Sequence, residues 1–91
     1  MRIVSKGVRS TRNQDGAVVL DIERGRILRL NTTASSIFER LQQGQTESQI
    51  VDGICQEFRI SSEIVQADVG EFLKSMEQAG LIYHNTPEVQ G

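Results

Sequence analysis

Between Gly16 and Asn31 the chain reads Gly-Ala-Val-Val-Leu-Asp-Ile-Glu-Arg-Gly-Arg-Ile-Leu-Arg-Leu-Asn, two aliphatic arms about a Glu23-Arg24-Gly25 triplet. Runs of Val, Ile and Leu bounded by turn residues predict a β-hairpin, and Gly25 supplies the positive φ that a type I turn with a G1 bulge needs. A three-residue turn sets Ile22 opposite Arg26, Leu20 opposite Leu28 and Val18 opposite Leu30. The core face would then hold those aliphatics, and the wetter face Val19, Asp21, Ile27 and Arg29. In this register the backbone groups of Ile27 and Arg29 point away from the partner arm. Upstream, Ile3, Val4 and Val8 among Ser, Lys, Gly and Arg predict one short, partly frayed strand within residues 1–12. The Asn13-Gln14-Asp15-Gly16 turn folds it back onto residues 17–22. The expected sheet has three antiparallel strands in sequence order, with residues 26–30 at an edge.

After the hairpin the apolar period changes from two to about 3.6. Asn31 is placed to cap a helix whose stripe is Ala34, Ile37, Phe38 and Leu41, and Gly44 ends it. A capping box, Thr46-Glu47-Ser48-Gln49, opens a second helix with the stripe Ile50, Val51, Ile54 and Phe58. Ser61 or Ser62 begins a longer third helix with Val65, Val69, Phe72, Leu73, Met76 and Ala79. Gly80 stands at its C′ position, and Leu81-Ile82-Tyr83 continues as an extended apolar tail. The fold class expected is α+β: a three-stranded antiparallel N-terminal sheet followed by three helices, resembling a winged helix. Residues 1–85 form one domain, and residues 86–91, with Pro87 and a terminal Gly, form a disordered tail.

Composition narrows the function classes. Ninety-one residues at 37% apolar content suffice for one core. No run is long enough for a membrane span, and the basic opening lacks the apolar region of a secretion signal, so a cytoplasmic protein is expected. Cys55 sits beside Ile54 in a helical pattern and is expected to be a small buried hydrophobe. His84 has no His or Cys at ligand spacing, which points away from a metal site. No glycine-rich phosphate cradle occurs, and Glu63, Asp68, Glu71 and Glu77 are spread around the third helix as a solvated face. Nothing here assembles a catalytic centre. The net charge of −2 conceals a division: residues 1–30 carry +4 and residues 31–91 carry −6.

The element order, with Leu30-Asn31 closing the hairpin, Gly44 after the first helix, Asp68-Val69 and Phe72-Leu73 in the third, and Gly80-Leu81 at its end, resembles the family of pyrroloquinoline quinone biosynthesis protein D. The similarity runs from about Asp15 to Ile82. The turn Ile22-Glu23-Arg24-Gly25 departs from the Pro-Glu-Gly turn of that family's members in the cofactor pathway. The resemblance implies a non-catalytic accessory domain that captures the leader segment of a ribosomally made precursor peptide and presents it to a modifying enzyme, often of the radical S-adenosylmethionine type. It implies no cofactor, no metal and no catalytic residue. The leader would add as a fourth strand between the third strand and the third helix, against Arg26, Ile27, Leu28, Arg29 and Leu30 on one side and Val65, Asp68, Val69, Phe72 and Leu73 on the other.

The residues permit that mode, because an edge strand left unpaired beside an apolar helix is a template for strand addition. They equally permit Val65, Val69, Phe72 and Leu73 to pack beneath the sheet. Arg26 and Arg29 on the edge predict a leader whose acidic residues alternate with Leu, Ile or aromatic anchors. The alternative function is a winged helix-turn-helix regulator on DNA, with the hairpin as wing. Charge opposes it, since residues 63–79 hold four acids and one Lys where a recognition helix must approach phosphates.

Overall fold

The computed structural model describes residues 2–84 and runs β1 (Arg2–Val4), β2 (Val8–Asn13), β3 (Gly16–Asp21), β4 (Arg26–Leu30), α1 (Thr32–Gln42), α2 (Glu47–Phe58), α3 (Ser62–Gln78) and β5 (Ile82–His84). The tail expected at residues 86–91 lies outside the described residues. One antiparallel sheet has the order β2-β3-β4; β1 and β5 pair separately as a two-stranded ribbon. The opening segment is therefore two strands, divided at Ser5-Lys6-Gly7, where Gly7 takes φ +85°. The apolar tail after α3 is the strand that pairs with β1, Ile3 opposite Tyr83 and Val4 opposite Ile82.

The helix ends follow the local chemistry. The Asn31 side chain accepts from the Ala34 amide at 2.8 Å, and Thr46 and Gln49 form the reciprocal capping box. At the end of α3 the Leu81 amide donates to the Met76 carbonyl and the Gly80 amide to that of Glu77, which is a Schellman closure. Gly80 takes φ +77° there, so a residue without Cβ suits the position. The apolar stripes converge on one core: Ile37, Phe38 and Leu41 of α1, Ile50, Val51 and Ile54 of α2, and Val65, Val69, Leu73 and Met76 of α3 are all buried with Val8 and Val19 from the sheet. Each large aliphatic or aromatic side chain removed from water there contributes on the order of 1.5–3 kcal/mol. Cys55 is half-buried against that core rather than enclosed in it.

The hairpin register differs by one residue from the expectation. Asp21, not Ile22, faces Arg26; Leu20 faces Ile27, Val19 faces Leu28 and Ala17 faces Leu30. The connection is thus four residues, Ile22 to Gly25, and the cause is the Asp21 carboxylate. It accepts from the Arg24 backbone amide at 3.2 Å and from the Arg26 guanidinium at 2.9 Å, so a local Asx-type closure and an ion pair define the last opposed pair. Asp21 is only 1% exposed. With the register moved by one, β3 turns Ala17, Val19 and Asp21 to the core, and Val18, Leu20 and Ile22 to the other face. The two arms obey opposite outcomes: β4 keeps Leu28 and Leu30 inward as expected, whereas β3 is inverted. Gly16, at φ +142°, lies so close to the Leu30 carbonyl that a Cβ would fall on it, which pins the far end of the same hairpin.

Candidate functional site

β4 is an edge of its sheet. The direction of its backbone groups follows from one bond on the other side: the Ile22 amide donates to the Gly7 carbonyl at 3.0 Å. Gly7 and Ile22 are then a hydrogen-bonded pair, and alternation along β3 turns the groups of Ala17, Val19 and Asp21 toward β4. Their partners Leu30, Leu28 and Arg26 point inward, leaving the N–H and C=O of Ile27 and Arg29 on the open edge. The register error moved the partner of each β4 residue without altering this phase.

The hairpin is tied to α3 at its tip, and a depression opens beside α3 at the foot of β4. At the hairpin tip, Arg26 donates to the Ala79 carbonyl at 2.5 Å and Arg24 to the Gly80 carbonyl at 3.3 Å, while both guanidiniums hold Asp21. Arginine side chains thus tie the hairpin to the C-terminal end of α3, where the helix dipole favours cations. The Arg26 hydrogen bond, assisted by Arg24, holds the Asp21 carboxyl below its ordinary range against the cost of burial. At the foot of β4 a depression of about 390 Å³ opens between the start of α1 and α3. Half-buried Phe72 forms part of its lining with Ile37 and Ile60, and Asp68, Glu71 and Ser75 line its rim from α3.

Of the residues expected at the site, the structure brings Asp68 and Phe72 into this depression and puts the backbone of Ile27 and Arg29 on the open edge. Leu28 and Leu30 are half-buried and pack against the core from β4. Val65, Val69 and Leu73 are core residues, 0–1% exposed in this structure, so their packing supports the α3 wall from beneath. Arg26 is engaged with Asp21 and Ala79, and Arg29 leaves the strand on the face opposite Arg26. Of the two arginines behind the expected acidic leader only Arg29 lacks a carboxylate partner, and the rim of the depression carries two carboxylates, Asp68 and Glu71, neither paired with a cation among the described residues.

Ile37, Ile60 and Glu71 were not singled out from the sequence as site residues. A signal for the α3 wall was present, since Asp68, Glu71, Phe72 and Ser75 follow the i, i+3, i+4, i+7 spacing of one helix face. Ile60 lies in the turn after α2, and only the packing of α3 brings it near Phe72. Among the described residues no group of His, Cys, Asp and Glu is arranged to hold a metal ion, and no helix is long and apolar enough to cross a membrane. The His84 Nε2 lies 3.1 Å from a Glu77 carboxylate oxygen.

A search of curated proteins returned no match. Among solved structures, the chain is similar to TbiB1 in complex with the TbiA(beta) leader peptide, at 28% identity and a TM-score of 0.83, covering 91% of this chain and 96% of that one. It shares its fold with a lasso peptide synthetase B1 complexed with the leader peptide, at 20% identity and a TM-score of 0.81, over 91% of this chain and 98% of the other. It also shares its fold with the PqqD truncation of Methylobacterium extorquens PqqCD, described as a stand-alone recognition element for ribosomally synthesized and post-translationally modified peptides. That pair is 24% identical with a TM-score of 0.74, over 91% and 88% of the two chains. The family model of coenzyme PQQ synthesis protein D matches residues 16–82, and the chain belongs to that family.

Proposed function

We propose that this chain is a non-catalytic recognition domain that binds the leader segment of a ribosomally made precursor peptide and delivers it to a separate modifying enzyme. The observation that carries the reading is the open β4 edge, with the backbone of Ile27 and Arg29 unpaired, next to a depression lined by Phe72. An extended peptide entering there satisfies the edge by strand addition and inserts an apolar side chain beside Phe72 and Ile60. A leader is the apt ligand because main-chain pairing tolerates sequence while one or two pockets select it. The relative TbiB1, with its leader peptide, supports the same reading.

The rim adds a preference. Asp68 and Glu71 favour a leader with Lys or Arg one or two positions from its apolar anchor, and disfavour an acidic one. The same carboxylates would repel phosphate, so the winged helix-turn-helix alternative gains nothing from this face of α3. The reading is tested by titrating the synthetic leader of the precursor encoded beside this chain, by fluorescence anisotropy, against wild type and Phe72→Leu. Saturable binding weakened in the variant is expected; no binding to the folded wild-type chain would refute it.

A further inference from the structure

Because β3 turns Ala17, Val19 and Asp21 to the core, the opposite face of the sheet receives Val18, Leu20 and Ile22, and Ile27 of β4 joins them. Leu20 and Ile27 are direct cross-strand partners, and Leu20, Ile22 and Ile27 are 38%, 57% and 67% exposed. A single exposed Leu needs no explanation, whereas adjoining aliphatics on one pleated face do. The register sets Arg9 beside Leu20 on one flank and Arg29 beside Val18 on the other. Among the described residues neither arginine pairs with a carboxylate, although Arg2, Arg12, Arg24, Arg26 and Arg40 all do. Arg9 donates only to the carbonyl of its neighbour Val8, at 3.2 Å, and an aliphatic centre flanked by guanidiniums without carboxylate partners has the composition of a protein interface.

We infer that this outer face of the sheet is the docking surface for the folded modifying enzyme, and that the enzyme meets it with an apolar projection flanked by carboxylates. The inference rests on the leader-binding reading and adds a second surface to it. The leader itself cannot cover the strip: a strand added to the edge of β4 lies about 4.8 Å beyond it, and Leu20 and Ile22 belong to β3, a further strand spacing away. A second copy of this chain fits poorly, because two such faces packed together bring Arg9 and Arg29 against the same arginines. An enzyme seated on Leu20, Ile27 and Arg29 is next to the leader by construction, since Ile27 and Arg29 also supply the open backbone edge. Docking and delivery then share one strand.

The test uses the full chain, the purified modifying enzyme encoded beside it, and the synthetic leader of the accompanying precursor. Two variants, Leu20→Gln/Ile22→Gln and Arg9→Glu, alter residues outside the leader site. We expect each to bind the leader within twofold of wild type and to bind the enzyme about tenfold more weakly. Side-chain footprinting of the wild-type chain supplies an independent readout if the double variant fails to fold: Leu20 and Ile22 should become protected by enzyme and stay reactive with leader alone. Unchanged enzyme affinity in the folded variants, or undiminished labelling of Leu20 and Ile22 in the enzyme complex, overturns the inference. So does a wild-type dimer that the variants convert to monomers. A wild-type chain that binds the enzyme through this face yet ignores the leader would refute the leader reading and leave the docking surface standing.

Discussion

The hairpin tip and the foot of β4 both adjoin α3 and behave oppositely. At the hairpin tip, Arg24 and Arg26 cross from the sheet to the carbonyls at the end of α3, anchored by a buried carboxylate. At the foot, a depression lies between the start of α1 and α3, and half-buried Phe72 contributes to its wall. With contacts to α3 at the tip and a depression at the foot, β4 remains an edge of its sheet. The comparison teaches that the contacts fastening the hairpin to α3 lie outside the proposed peptide site. Edge strands in monomers are ordinarily blunted or covered; this one has no further strand beside it among the described residues.

The largest effect is expected at the clamp of the hairpin tip. Asp21→Ala removes the buried carboxylate that the Arg24 amide and the Arg24 and Arg26 guanidiniums share, so one change breaks every bond that closes the hairpin on that side chain. Its melting temperature should fall further than that of any variant considered below, and β4 amide resonances should broaden; a melting curve unchanged from wild type would show that the clamp holds nothing. At the foot, Phe72→Ala removes the anchor wall. Leader affinity should fall by about 2 kcal/mol, roughly thirtyfold, with calorimetry on the folded variant as the check and Phe72→Leu losing less. Asp68→Asn at the rim is expected to cost a leader bearing Lys or Arg about three- to tenfold, an effect that shrinks as salt is raised. Arg29→Ala should cost less than either, because its side chain stands on the other face; a ranking with Arg29 above Phe72 would contradict the anchor argument.

Acid provides a gentler lever on the clamp. Asp21 is held below its ordinary carboxylate range chiefly by Arg26, and Glu57 is lowered chiefly by the Ser36 hydroxyl, which donates at 2.6 Å, with help from Arg40. A group whose folded pKa is depressed stabilises the protein above its unfolded value and loses that contribution as pH falls through the folded one. Thermal stability should therefore be level down to about pH 5 and decline below about pH 4, where unfolded carboxylates titrate. Asp21→Asn should flatten that decline; an acid limb unchanged in the variant would assign it to other groups.

How far the sequence could be read depended on the range of the interactions involved. The helices were legible because their ends rest on contacts three or four residues apart: Asn31 with Ala34, Thr46 with Gln49, Gly80 after Ala79. The hairpin was legible as a hairpin, and its central and edge strands were placed correctly, but its register was not. Alternation within β3 is nearly degenerate, since Val18 and Leu20 on one face match Ala17 and Val19 on the other. The deciding residue was Asp21, whose burial depends on Arg26 and on the end of α3, and no local pattern reports that. The break at Ser5-Lys6-Gly7 was hidden for the same reason, because β1 finds its partner in β5, some eighty residues away. Phe72 and Asp68, which line the depression, are named by the family resemblance, whereas helical spacing alone assigns Phe72 to the apolar stripe and Asp68 to the solvated face. The depression beside them needed the tertiary approach of Ile60 and Ile37.

The central claim is that Ile27 and Arg29 offer their backbone to an added strand. Amide hydrogen exchange by NMR, with and without the cognate leader, reads this residue by residue. The account predicts that the Ile27 and Arg29 amides exchange quickly in the chain alone and become protected in the complex, while Leu28, paired to Val19, is protected in both states. Protection confined to α3, with Ile27 and Arg29 still exchanging freely in the saturated complex, would mean that the leader binds without extending the sheet, and would contradict it.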